Sequence, residues 1–338
     1  MSKSLPGYPA AGTIYRQVYE GGRRVARVLY IGGVGRSGTT VLERALGELP
    51  GYHVLGETVH LWQRALVDDE LCGCGRPFSG CPFWTAVGQR AFGGWDRVDP
   101  REVLDLKRAV DRNRYIGRLA ATRLPAEVAA RLARYVGMYR RVYDAVTETT
   151  GAAVLVDSSK HASLAFCLRW DPQLDLRVLH AVRDARGVAY SWTKGTPRPE
   201  ATSGSTSFMP TYSPTSTALR WDLYNSAFGL LARRGTPTLR VRYEEFVADP
   251  RGVLTAVADF AGHPVTEQGL AFASDTAVEL TAQHTVSGNP VRFTTGPVTL
   301  RPDEAWRTEL PVGQRRAVSL LASPLLRRYG YPVATRPE

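Results

Sequence analysis

The feature that most constrains this chain is one junction, residues 27–57, RVLYIGGVGRSGTTVLERALGELPGYHVLGE. Residues 28–31 are an apolar, partly β-branched run of the kind that makes a buried strand, and the glycines that follow cannot continue it. From Gly38 onward Thr39, Val41, Leu42, Ala45, Leu46 and Leu49 recur at helical spacing until Pro50-Gly51 stops the pattern. Strand, glycine loop and helix in that order form an anion cradle. The loop's N–H groups and the positive end of the helix face one point, and the hydroxyls of Thr39 and Thr40 add donors.

The same loop nearly spells a nucleoside-triphosphate motif. Reading G-x-x-x-x-G-K-[ST] from Gly33 puts Gly33 and Gly38 in place, but Thr39 stands where the phosphate-binding lysine belongs. A cation sits instead inside the loop, at Arg36. That arrangement suits a 5′-phosphoryl group carrying one further anionic group.

Strands are expected at 52–55, 153–156, 176–182 and 238–242, and helices at 58–70, 125–150, 161–170 and 219–231, with a helical region from 243 to 262. The polar run Asp157-Ser158-Ser159-Lys160 follows one of these strands, at the end of the strand where open α/β sheets bind ligands. Strands alternating with helices argue for one mostly parallel sheet covered on both faces, hence the α/β class. The expected organisation is an N-terminal extension, 1–26, and a single domain, 27–331. A stretch rich in Pro, Ser, Thr and Gly, 195–216, reads as a lid.

Composition narrows the partners. The net charge of +11, from 43 Lys+Arg against 32 Asp+Glu, fits either nucleic acid or a small polyanion. No long basic block and no DNA- or RNA-binding motif occurs, so nucleic acid is not expected. With no run of 18 or more apolar residues and no signal core, the expectation is a cytoplasmic protein without a membrane span. The insert 71–84 holds Cys72, Cys74 and Cys81. Their C-x-C-x6-C spacing lacks a fourth ligand nearby and fits no zinc template, so structural thiols in a packed loop, and no metal, are expected.

The loop resembles that of sulfotransferases that use 3′-phosphoadenosine 5′-phosphosulfate (PAPS), which reads [KR]-S-G-T-T after a strand; here it is Arg36-Ser37-Gly38-Thr39-Thr40. Arginine at the first position resembles the tyrosylprotein and some bacterial branches. The resemblance implies a P-loop-containing nucleotide-hydrolase-like fold, with a central parallel sheet flanked by helices. It also implies PAPS as donor, adenosine 3′,5′-bisphosphate as product and no metal. Arg183 and Ser191, eight residues apart, match R-D-x-R-x-x-x-x-S, in which arginine and serine hold the 3′-phosphate. Gly56-Glu57 matches the segment that carries a general base in the tyrosylprotein branch, with His53 and His60 as alternatives. Lys160 matches a lysine at the bridging oxygen of the donor, a task that Arg36 can share and for which Ser158 and Ser159 are the other candidates.

A late segment closes over the nucleotide in that family. Here Ser287, Gly288, Asn289 and Arg292 stand in its region, without the family's R-K-G. Tyr243, in an R-Y-E segment, is an adenine-side contact or a core residue. The expected acceptor is a small-molecule hydroxyl or phenol, of natural-product or sugar type, and Tyr190, Trp192, Phe208, Tyr212 and Trp221 are candidates for its pocket. A phosphotransferase, needing a magnesium carboxylate for which Asp157 is the candidate, and a noncatalytic nucleotide- or polyanion-binding module remain the alternatives.

Overall fold

A computed structural model of the chain describes residues 19–20, 23–24, 26–195, 197–198, 207–208 and 210–333. Five parallel strands form the central sheet: β1 (Arg27–Gly33), β2 (Tyr52–Gly56), β3 (Val154–Lys160), β4 (Asp175–Val182) and β5 (Thr238–Arg242). Their spatial order is β2-β3-β1-β4-β5. From β1 the chain crosses to the edge strand β2, fills in β3 beside β1 and then builds β4 and β5 on the other side, so the C-terminal end of β1 lies where the winding reverses.

Alternation along the strands divides the interior in two. Val28 and Tyr30 of β1, Leu155 of β3 and Val178 of β4 face one core. That core is filled by α2 (Pro82–Phe92), α4 (Ala126–Thr150) and α5 (Ala162–Leu168), with α3 (Pro100–Val110) packed beside α4. Leu29, Ile31, Val154, Val156, Leu179 and Ala181 face the other core. Its cover is α1 (Thr39–Leu46), α8 (Tyr243–Ala248) and α9 (Pro250–Ala261). A third cluster joins α6 (Ala185–Thr193), α7 (Pro214–Arg233), α10 (Val312–Leu321) and α11 (Ser323–Arg328). An antiparallel pair, β6 (Ala277–Leu280) with β7 (Gly296–Thr299), stands apart from the main sheet. The α/β class and the parallel sheet therefore match expectation.

Two elements differ from the sequence reading. Residues 58–70 form a 3₁₀ turn, Thr58–His60, and one π-helical turn, Leu61–Ala65, instead of a helix. One carbonyl that an α-helix would use in its first turn is committed to a side chain, and a free N–H of that turn is fixed by another. The Val59 N–H donates to the Ser159 hydroxyl (2.9 Å), and the Val59 carbonyl accepts the Lys107 ammonium (2.6 Å). The strand expected to end before Asp157 runs on as β3 through Lys160. The polar run is thus part of the sheet. Residues 196, 199–206 and 209 of the expected lid, and most of the extension 1–26, lie outside the described residues. Within the former, Pro197–Arg198 pairs with Ser207–Phe208, and α7 already begins at Pro214.

Candidate active site

A cavity of about 420 Å³ opens at the C-terminal ends of the central strands. Its floor is the β1–α1 loop: Gly33, Val34, Gly35, Arg36, Gly38, Thr39 and Thr40 all line it. Two residues of the loop take left-handed backbone, Arg36 and Gly38, each with φ of 74°. At Gly38, the N-cap of α1, a side chain is excluded on two counts, since a Cβ would also lie 2.3 Å from the Tyr243 ring. For Arg36 the same conformation costs on the order of 1 kcal/mol. It is tied down by Arg183, whose Nη1 donates to the Arg36 carbonyl (3.1 Å). The Arg36 guanidinium lies 5.2 Å from the ring centroid of Trp192, and the Trp192 indole N–H donates to the Gly35 carbonyl (3.1 Å).

Opposite this floor stand Glu57, from the end of β2, and Lys160, from the end of β3. Lys160 Nζ donates to Glu57 Oε1 at 2.6 Å, and both side chains are largely buried. Burial alone would raise the Glu57 carboxyl. Lys160, with smaller help from Arg64 and His161, outweighs it and holds the group below the usual carboxylate range. Lys160 reaches this position with φ of 65°, another left-handed non-glycine residue at the cavity.

Glu57 is also fixed through its backbone. Residues 285–287 lie against the end of β2: Val286 N–H donates to the Leu55 carbonyl (2.8 Å) and Glu57 N–H to the Val286 carbonyl (2.7 Å). Gly56 turns the chain there with φ of 80°, where a Cβ would stand 2.3 Å from the Val286 carbonyl oxygen.

Arg183 and Ser191 both line the cavity, on the β4 side. Arg183 already holds one anion, since its Nη2 donates to Asp303 Oδ2 at 2.7 Å. Burial raises the Asp303 carboxyl, but Arg183 brings it below its ordinary value. A further wall comes from α6, α7 and the residues just before α7, where Trp192 and Tyr212 pack with ring centroids 4.9 Å apart and Arg220 sits 4.0 Å above Tyr212. Of the expected acceptor-pocket aromatics, Trp192 and Tyr212 are at the cavity. Trp221 is buried with its indole N–H on the Arg183 carbonyl, Tyr190 donates to Glu309, and Phe208 is exposed.

Not all of the expected site residues line the cavity. Asn289 lines the cavity, but Arg292 does not: its buried guanidinium donates to the carbonyls of Thr285 (2.9 Å) and Leu71 (2.6 Å). Ser287 and Gly288 are likewise outside the lining, with the Ser287 hydroxyl accepting from Arg64 (2.6 Å). Ser37 is buried beneath the loop. Tyr243 packs against Gly38 and gives its hydroxyl to the Arg301 carbonyl, so it supports the loop from outside the cavity. His53 is far from Glu57 in environment, its ring packed on Phe83 (4.8 Å) and burial pulling its pKa down to about 4. His60 Nε2 stands 3.6 Å from Glu57 Oε2 but does not line the cavity.

Asp157, the candidate magnesium carboxylate, is enclosed. Its oxygens accept from the hydroxyls of Thr58, Tyr143 (2.6 Å) and Ser159 (2.5 Å) and from the Ser159 N–H (2.8 Å). Its work is to hold β3 to its neighbours. Glu57 is thus the carboxylate presented to the cavity among the described residues.

Two residues escaped the sequence reading. His161 lines the cavity next to Lys160, burial lowering its imidazole pKa. Glu43, on α1, is buried between the elements that carry the site. It accepts from the Gly56 N–H (2.7 Å) and the Ser158 hydroxyl (2.6 Å), and burial, only partly offset by these bonds and Lys160, lifts its pKa to about 7. Its position in the amphipathic pattern of α1, between Leu42 and Ala45, was the only available signal. Away from the cavity, the three thiols of the insert meet His284, which corrects the expectation that no fourth ligand lies near them.

No family model matches the chain, and no curated protein matches it. Among solved structures the chain is similar to a sulfotransferase domain from the olefin synthase of Synechococcus PCC 7002, at 20% identity and a TM-score of 0.47, over 95% of this chain and 100% of that one. It is also similar to a sulfotransferase from Mycobacterium avium, at 14% identity and a TM-score of 0.44, over 92% of this chain and 79% of that one. A sulfotransferase domain from the curacin biosynthetic pathway is 15% identical, with a TM-score of 0.45, over 92% of this chain and 100% of that one. No helix among the described residues is long and apolar enough to cross a membrane.

Proposed function

We propose that this chain is a sulfotransferase that moves the sulfuryl group of PAPS to a hydroxyl or phenol of a small-molecule acceptor and releases adenosine 3′,5′-bisphosphate. The observation that carries this reading is the meeting, in one cavity, of a lysine-free anion loop, a second cation at Arg183 and an ion-paired Glu57–Lys160. Such a set suits a donor with anionic groups at two ends and needs no triphosphate hand.

The cavity residues fit that donor. The N–H groups of the loop, Arg36, Thr39 and Thr40 would hold its 5′-phosphate, and Arg183, Ser191 and Asn289 its other end. PAPS supplies an electrophilic sulfur and a phosphate leaving group. Everything else falls to the chain. Glu57 takes the proton of the acceptor hydroxyl, and Lys160 keeps that carboxylate ionised until it does so. Lys160 and Arg36 then present positive charge where negative charge develops, which favours the transition state over the ground state. The Trp192–Tyr212 wall offers apolar surface to the acceptor.

Titration calorimetry tests the reading. Adenosine 3′,5′-bisphosphate should bind more tightly than AMP or magnesium ATP, and labelled PAPS should yield a labelled product with some member of a phenol and sugar panel. Tighter binding of magnesium ATP, with transfer of its terminal phosphate, would sink it.

A further inference from the structure

We infer that Cys72, Cys74, Cys81 and His284 bind one zinc ion in a closed tetrahedral site that fastens the insert 71–84 to residues 284–286, the segment that holds the Glu57 backbone. The ligand atoms of these four residues all lie within 4.8 Å of one another. Cys74 Sγ and Cys81 Sγ are 3.8 Å apart, and His284 Nδ1 is 3.8 Å from Cys72 Sγ and 3.3 Å from Cys81 Sγ. A tetrahedron with zinc–sulfur bonds of about 2.3 Å and a zinc–nitrogen bond of about 2.05 Å has edges of roughly 3.8 Å between sulfurs and roughly 3.6 Å between sulfur and nitrogen. The three spacings just given lie within about 0.3 Å of those edges. A disulfide needs sulfurs about 2.05 Å apart, so the thiols stand at metal distance and not at bonding distance.

The surroundings are built for this meeting. His284 reaches Cys81 across 203 positions of chain. The turn Cys72-Gly73-Cys74-Gly75 is closed by Gly75 N–H on the Cys72 carbonyl and Cys72 N–H on the Arg76 carbonyl, both 2.8 Å. Gly73 N–H donates to the Thr285 carbonyl, and a Cβ at Gly73 would lie 2.4 Å from Thr285 Oγ1. Only glycine lets this turn lie flat on the segment that carries His284. The imidazole is oriented by stacking on Phe83, 5.0 Å between centroids and 14° between planes. Cys72 and Cys81 are buried, while Cys74 and His284 are partly open, which leaves an entry side.

Binding displaces a proton from each of the three thiols and leaves a complex with one net negative charge. Arg76, whose charge is felt at His284, offsets part of it. All four positions are taken by protein, so the site is structural and holds no reactive water. Arg292 runs parallel to it, joining the carbonyls of Leu71 and Thr285. Both fasten the insert to residues 284–286, whose Val286 carbonyl receives the Glu57 N–H.

The test is metal analysis of the full chain, purified under reductant, without chelator, after growth with added zinc. About one zinc per chain is expected, and replacement by cobalt should produce thiolate-to-metal charge-transfer bands and the d–d absorption of tetrahedral cobalt. Cys74→Ser and His284→Ala should each cut zinc retention at least tenfold after dialysis against a weak chelator. Zinc below about 0.1 per chain in the wild-type protein, a Cys74–Cys81 disulfide, or octahedral cobalt spectra would overturn the assignment, whether or not the variants fold. An active but zinc-free protein would remove this site and leave the sulfuryl-transfer reading intact.

Discussion

At the scale of single residues, the site is governed by which anion each cation holds. Glu57 is held by Lys160 below the usual carboxylate range of about 4.3. A base must be deprotonated to act, so its loss of activity in acid should fall below that value, and turnover should persist at pH 5. The ion pair's contribution to stability follows the same shift: it is full above the unfolded value of about 4.3 and is lost as pH falls from there through the depressed folded value. Glu57→Gln keeps the shape and removes the base. It should lower kcat by about 10²–10⁴ while leaving bisphosphate affinity nearly unchanged; near-normal turnover would reduce Glu57 to a structural partner of Lys160. Arg183 presents the opposite case, because Asp303 already occupies part of its guanidinium. A 3′-phosphate must displace or share with that carboxylate. Calorimetry should therefore show Asp303→Asn tightening adenosine 3′,5′-bisphosphate several-fold, and Arg183→Ala weakening it by about 1.5–3 kcal/mol. AMP, which lacks the 3′ group, should respond little to either, and equal responses would remove the assignment.

At the scale of elements, Glu43 is the brace between α1, β2 and β3, and its titration makes that brace measurable. A buried carboxyl with a pKa of about 7, against about 4.3 in an unfolded chain, binds its proton more tightly when folded. Stability is therefore greatest below the unfolded value, declines as pH rises toward 7, and levels off above it, the total being about 4 kcal/mol. Glu43→Gln cannot titrate. Urea unfolding should show the variant gaining on the wild type between pH 5 and pH 8, and a constant difference would mean that Glu43 is ionised throughout. The elements themselves were unevenly legible. The β1–α1 junction could be read because the apolar period changes from strand to helix within the glycine loop. The amphipathic α4 was legible for the same reason. Residues 58–70 could not, because the Val59 carbonyl is taken by Lys107, which arrives from a remote part of the chain. Arg292 looked like a phosphate ligand because nothing local reveals that Leu71 and Thr285 carbonyls surround it, and His284 is invisible as a partner of Cys81 for the same reason.

At the scale of the whole molecule, the cavity is supported from a part of the chain that contributes nothing to its lining, the C-terminal helices. Val34 of the anion loop packs in the third cluster with Val182, Trp221 and Leu326. The turn that carries Arg183 is tied to the same region. Arg186 donates to the Pro332 carbonyl (2.9 Å), Tyr331 donates to Glu244 (2.7 Å), and Glu244 accepts the Asp184 N–H (3.1 Å). Removing packing here should thus act on the ligand as well as on the fold. Leu326→Ala, at a fully buried position, should cost about 2–5 kcal/mol and leave a cavity next to that turn. Leu132→Ala in α4, also buried but in the core that holds Val28 and Tyr30, should cost a similar amount. The two variants should part in calorimetry well below their melting temperatures. Leu326→Ala should weaken adenosine 3′,5′-bisphosphate, because the Arg183 turn and Val34 loosen, while Leu132→Ala should bind it like the wild type. Equal affinities in both would mean that the third cluster stabilises the fold without positioning the site.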